Sequence, residues 1–188
     1  MAEDRTKEIL GKTLLRIEPE KEQFKEVDDI IFHINVLLRK NNVVILKTFS
    51  KAYGLAGVRV GYAIAQPEMI SFMEKARQPF NVNSLAQAAA LAALDDKKFL
   101  EATRQSVLTG KRYLYSELER MGLGYVPSVA NFILVNTPRE STLVFKDMLK
   151  FGVIVRDMRE YGLKNFIRVT IGTKKENERF IRVLKKVL

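Results

Sequence analysis

The segment Thr48-Phe49-Ser50-Lys51-Ala52-Tyr53-Gly54-Leu55-Ala56-Gly57-Val58-Arg59 gathers the residue types most able to do chemistry. A lysine follows the aliphatic run Val43-Val44-Ile45-Leu46, and Thr48 and Ser50 stand at alternate positions before it. Alternate residues of an extended chain point to the same side. Gly54 and Gly57 let the backbone turn and approach a ligand closely, and Arg59 follows the turn. A lysine held in partly apolar surroundings becomes a nucleophile for aldehydes. Two hydroxyls and a guanidinium suit a dianionic phosphate. The pattern therefore fits a ligand with an aldehyde and a phosphate, such as pyridoxal phosphate. It also fits a plain hairpin loop with incidental polar side chains. The GxxxxGK[ST] order of a P-loop is absent from the sequence.

A second constellation is Arg156 and Arg168, in VIVRD and FIRVTIG. In a strand over 166–172, alternation puts Ile167, Val169 and Ile171 on one face and Arg168 on the other with Phe166 and Thr170. Arg156 closes the apolar run 153–157. Two arginines on adjacent strands can clamp a carboxylate or phosphate bidentately. Two surface arginines on an edge sheet are the plainer alternative.

Composition narrows the chemistry. The chain has no cysteine and His33 is its only histidine, which excludes thiol chemistry and argues against a zinc centre, so no metal is expected. The net charge is +10, but Lys and Arg are scattered, with no run of five or more. A solvated surface or an anion pocket explains that charge better than nucleic-acid binding. No apolar run approaches the roughly 20 residues that cross a bilayer, and the charged N-terminus lacks a signal-peptide pattern. These features predict a cytoplasmic chain with neither a membrane nor a nucleic-acid partner.

Residues 1–40 are rich in Glu, Lys and Asp, and Phe24, Val27, Ile31, Ile34 and Leu38 are spaced as on an amphipathic helix. The run 43–46 predicts a strand covered on both faces, and 58–65 a second. Two strands alone make no stable sheet, so they call for more strands, from 1–40, from another chain, or missing altogether. Helices are predicted over 68–77 behind Pro67, over 85–94 capped by Asn83-Ser84, and over 99–121 closed by Gly122 and Gly124. Beyond Tyr125 the pattern is α+β: strands over 130–135, 153–157 and 166–172, and helices over 141–150 and 177–188, with the helices on one side of the sheet.

The segment VVILKTFSKAYGLAGVRVGYAIA closely resembles the Schiff-base lysine region of fold-type-I aminotransferases, and of the histidinol-phosphate aminotransferases in particular. The resemblance runs from about 36 to 188. It implies an α/β fold, made of a remnant of the pyridoxal-phosphate transferase large domain and a small α+β C-terminal domain. The expected divisions are 1–35 unassigned and helical, 36–104 part of the large domain with a linker helix, and 105–188 the small domain. The resemblance implies transamination of histidinol phosphate with 2-oxoglutarate, and a dimer. Lys51 would bond the cofactor and then move the substrate's α-proton, while Thr48, Ser50 and Arg59 would hold the cofactor phosphate. Arg168 would bind the substrate's carboxylate or phosphate end, with help from Arg156. Asn131 matches a position near that pocket, and Phe80 a loop directed at the neighbouring subunit's site. Phe80 has no hydroxyl, so it offers a wall and no hydrogen bond. The family's upstream motifs are missing, and Asp28-Asp29 lies too near the lysine to be the acid that faces the cofactor's ring nitrogen. The expectation is thus a truncated aminotransferase, with a catalytically dead fragment or interaction module as the alternative.

Overall fold

The computed structural model describes residues 43–188. The predicted helix over 24–38, His33 and the Asp28-Asp29 pair lie outside the described residues. The described chain divides into two compact units, one holding 43–47 and 62–81, the other 48–61 and 82–188.

In the first unit, strand β1 (Val44–Thr48, whose last residue belongs to the second unit) pairs with β2 (Gly61–Ala65, whose first residue does). Helix α1 (Pro67–Ala76) follows, with proline in its first turn as predicted, where a missing N–H costs nothing. Among the described residues the expected further strands of this sheet are not present. Among those residues it has two strands, and Leu46 is 75% exposed, so they do not cover both faces of the aliphatic run. The second strand also starts later than predicted, because Val58 belongs to a 3-10 turn and Arg59 is left-handed.

The second unit contains α2 (Ser84–Asp95) and α3 (Lys97–Arg120). Asn83 caps α2 by accepting a hydrogen bond from Ala86 N at 2.8 Å, and Asp96 caps α3 through Phe99 N at 3.0 Å. Gly122, at φ 66°, ends α3. Strands β3 (Tyr125–Val126), β4 (Phe132–Asn136), β5 (Arg156–Asp157) and β6 (Phe166–Thr170) then form an antiparallel sheet in the order β3-β4-β6-β5. Helix α4 (Ser141–Lys150) precedes β5, and α5 (Lys174–Val187) ends the chain.

The sheet has a dry face and a polar face. Ile133 and Val135 pair with Val169 and Ile167 in register, and all four are buried. They pack with Leu114 and Leu118 of α3, Val144 and Met148 of α4, and Phe180, Ile181 and Leu184 of α5. All three helices therefore cover one side, as the alternation predicts. Truncating one of these leucines to alanine would cost about 2–5 kcal/mol. Two details depart from expectation. The sheet has a fourth strand, β3, and β5 is two residues long instead of five, with Arg156 at its start. The terminal helix begins three residues early because Thr173 and Glu176 form a capping box, a T-x-x-E signal present in the sequence.

Candidate active site

The lysine loop is built by tight local geometry. Phe49 N donates to Val60 O at 3.3 Å, and Leu55 N donates to Phe49 O at 3.0 Å, so both ends of the loop are tied to one buried residue. Phe49 and Tyr53 pack ring to ring, with centroids 5.1 Å apart. A 3-10 turn over Lys51–Tyr53 ends at Gly54, which is left-handed at φ 70°. The left-handed conformation favours glycine there, and a β-carbon would press on the Phe99 ring at 3.2 Å.

This framework puts Thr48, Ser50, Lys51 and Arg59 on one loop of one unit. The Thr48 hydroxyl accepts from Ser50 N at 3.0 Å. The Arg59 guanidinium donates to Ala56 O at 2.7 Å, which folds it back over its own turn. Lys51 is exposed, in contrast to the partly apolar surroundings anticipated for it.

The backbone singles out these positions independently. Among the described residues, the non-glycine residues at positive φ are Lys51 (50°), Arg59 (58°) and Phe80 (57°). Lys51 and Arg59 stand out in the sequence on chemical grounds, and Phe80 through the family resemblance. A side chain in the left-handed region costs about 1–2 kcal/mol, and such strain gathers where function fixes a residue. Phe80 belongs to the other unit and is 97% exposed, so its ring meets no wall of its own.

The strand arginines are also brought together. Arg156 on β5 and Arg168 on β6 are direct cross-strand partners, and Leu134 flanks Arg168 on β4. Direct partners in an antiparallel ladder share a face, so both arginines lie opposite the dry core. The Arg168 guanidinium rests over the Phe132 ring, 5.0 Å from its centroid. Arg156 donates to Glu160 Oε2 at 3.0 Å. Asn131 is half-buried just before Phe132, and its carbonyl accepts from Ile171 N at 2.9 Å. Its backbone thus joins β4 to the end of β6.

Sequence reasoning missed Phe132, Asp157 and Glu160. Asp157 ties β5 down: Oδ1 accepts from the Ser141 hydroxyl at 2.6 Å and from Arg159 N at 2.9 Å, and Oδ2 accepts from the Thr142 hydroxyl at 2.6 Å. Burial alone would raise its pKa, but the two hydroxyls and the N–H outweigh burial and hold it below the ordinary carboxylate value. Glu160 was legible as an i,i+4 partner of Arg156 only for a reader who already expected a turn there.

Residues 20–184 match the family model described as aminotransferase class I and II. The chain belongs to that family. It is 50% identical over 155 residues to histidinol-phosphate aminotransferase 2 of Carboxydothermus hydrogenoformans, covering 82% of this chain and 43% of that protein. It is 54% identical over 147 residues to the histidinol-phosphate aminotransferase of Moorella thermoacetica, covering 78% and 38%. Among solved structures, a putative histidinol-phosphate aminotransferase from Erwinia carotovora atroseptica superposes with a TM-score of 0.75 at 28% identity, over 81% of this chain and 44% of that one. Another, the histidinol-phosphate aminotransferase of Sinorhizobium meliloti in complex with pyridoxal-5'-phosphate, gives 0.68 at 28%, over 82% and 43%. The chain has mixed helix and sheet, as expected, and spans less than half the length of the relatives it matches here.

Proposed function

We propose that Lys51 is the cofactor-bearing lysine of a pyridoxal-phosphate-dependent aminotransferase of the histidinol-phosphate type, working with 2-oxoglutarate. The observation that carries this reading is Lys51 itself: a lysine in a left-handed turn, with two hydroxyls before it and a strained arginine after it. The donor set fits the cofactor. Thr48, Ser50 and Arg59 would hold its phosphate, with the guanidinium matching the phosphate's charge and shape. Lys51 would hold its aldehyde carbon through Nζ. When bound, the cofactor supplies the electron sink for the substrate's α-carbon. Lys51 Nζ would then move the proton at that carbon. Arg168, backed by Phe132, and Arg156 would bind the substrate's anionic end, and Asn131 would border the same pocket. Phe80 would stand as a wall toward a second subunit.

A homodimer in the cytoplasm belongs to the same reading. In support of the dimer, Leu85 and Leu91 of α2 are 79% and 69% exposed, an apolar surface that association would cover. Among the described residues no helix is long and apolar enough to cross a membrane.

A second reading is a folded module that binds without turnover. The exposure of Lys51 favours it, since nucleophilic amines work in desolvated surroundings. The deciding experiment is an absorbance titration with pyridoxal phosphate, followed by borohydride trapping and peptide mapping, beside Lys51→Ala. A saturable band trapped at Lys51 and lost in the variant supports the cofactor site. Equal, diffuse modification of many lysines in both proteins would sink it. Turnover of histidinol phosphate and 2-oxoglutarate, lost in Lys51→Ala, would eliminate the module.

A further inference from the structure

The turn that carries Lys51 is held in a conformation its residues resist. Lys51 lies at φ 50°, where a side chain is disfavoured, and such a backbone persists only where its surroundings over-determine it. Part of that restraint is internal to 49–60. Gly54 N donates to Lys51 O at 2.9 Å and closes the turn, and the two bonds at Phe49 tie the ends of the loop. A further restraint comes from outside the loop. Helix α3 packs against the 3-10 turn over Lys51–Tyr53, within the same unit. Phe99, in the first turn of α3, brings the tip of its ring to Gly54: a β-carbon on Gly54 would stand 3.2 Å from Phe99 Cζ and 3.5 Å from Cε1. The ring therefore bears on the residue whose N–H closes the Lys51 turn. Phe99 is itself fixed. Asp96 Oδ1 accepts from Phe99 N at 3.0 Å, which anchors the start of α3. Further along, α3 is buried in the core of the larger sheet through Leu114 and Leu118. The helix thus carries the rigidity of that core to the lysine loop.

We infer that Phe99 is a positioning residue for Lys51: its ring braces Gly54 and so keeps the lysine turn left-handed, in the form that receives the cofactor. The inference rests on the proposed reading of Lys51 as the cofactor-bearing lysine. Phe99 acts through Gly54, and its ring is 48% exposed, so the contact is a steric stop with modest dispersion and not deep core packing. A turn already in its binding form loses no affinity to rearrangement. One that relaxes toward the right-handed region must be restored before the cofactor binds, which lowers the apparent affinity by the fraction left competent.

The test uses the full 188-residue chain titrated with pyridoxal phosphate, with borohydride trapping and peptide mapping. Beside it, NMR reads the cross-relaxation between the amide hydrogen and Hα of Lys51, which is strong at positive φ because the two hydrogens then lie close. Phe99→Ala should weaken cofactor binding roughly five- to ten-fold and weaken that cross-relaxation, while the band at saturation is still trapped at Lys51. Phe99→Met, which restores an apolar tip of similar reach, should recover most of both. Leu149→Ala, which removes a half-exposed side chain from α4, should change neither. Titrations are run at a temperature where urea unfolding curves show each variant folded, and Phe99→Leu takes the place of Phe99→Ala if the alanine variant is not. Unchanged affinity in Phe99→Ala, beside a band lost in Lys51→Ala, would overturn the positioning role and leave the cofactor site standing. Weaker binding with the Lys51 cross-relaxation unchanged would overturn it too. If Lys51→Ala gives the same band and the same modification as the wild type, the cofactor reading fails and the inference fails with it.

Discussion

Arg156 and Arg168 stand directly opposite one another across β5 and β6, on the face of the sheet away from buried Ile167 and Val169. If the proposed reading holds, these two guanidiniums in register form an anion clamp that no single strand could supply. A hydrogen bond to a charged group contributes about 1.5–3 kcal/mol, so Arg168→Ala should weaken phosphate binding roughly 10- to 100-fold. Arg168→Lys should recover only part of that, because an ammonium has neither the planar fork nor the same fit over the Phe132 ring. Titration of the 15N-labelled chain with inorganic phosphate, followed at the backbone amides of β5 and β6, reads both variants.

Backbone strain gives Arg59 a second signature. At φ 58° glycine is at ease and alanine is not. Arg59→Gly should therefore be more stable than Arg59→Ala by about 1 kcal/mol in urea unfolding. Both should lose affinity for pyridoxal phosphate equally if the guanidinium holds its phosphate. Equal stabilities would show that the left-handed turn is not kept in solution.

Gly110, in the middle of α3, should resist replacement. A β-carbon there would lie 2.7 Å from both Asn177 Nδ2 and Ile171 Cγ2. Asn177 is buried and cannot yield freely, since it accepts from Gly172 N and donates to Gly172 O, both at 2.9 Å. Alanine improves helix propensity by about 1 kcal/mol, but overpacking of this kind costs about 1–3 kcal/mol. Gly110→Ala should be net destabilising, by up to about 2 kcal/mol; a urea midpoint at or above that of the wild type would refute the close contact.

Asp157 predicts an acid-sensitive contribution to stability. Its folded pKa lies below the ordinary 3.8, so the stabilisation is present above that pH and is lost as pH falls through the folded value. Asp157→Asn should lower the urea midpoint at pH 6, and the gap to the wild type should narrow below about pH 4. A gap that stays constant down to pH 2.5 would argue against ionisation as its source.

Local order in this protein was written locally. The spacing Thr48, Ser50, Lys51, Arg59 named the lysine loop, because the ligand chemistry depends on residue types close together in the chain. Pro67, Asn83 and Gly122 marked helix ends, because capping is settled within a few residues. The alternation in 166–172 separates Arg168 from Ile167 and Val169 without reference to a partner strand. Tertiary structure decided the rest. The register setting Arg156 opposite Arg168 depends on how far β5 extends, and β5 proved two residues long. Phe132 reaches Arg168 only through pairing of strands more than thirty residues apart. Asp157 holds Ser141 and Thr142 from sixteen and fifteen residues away. The exposure of Leu46 and Lys51 depends on what packs above them, and no pattern in 43–51 records that. Sequence thus determined which groups are available and which way each points along its own element. The fold determined which groups meet, because meeting depends on long-range packing and strand register.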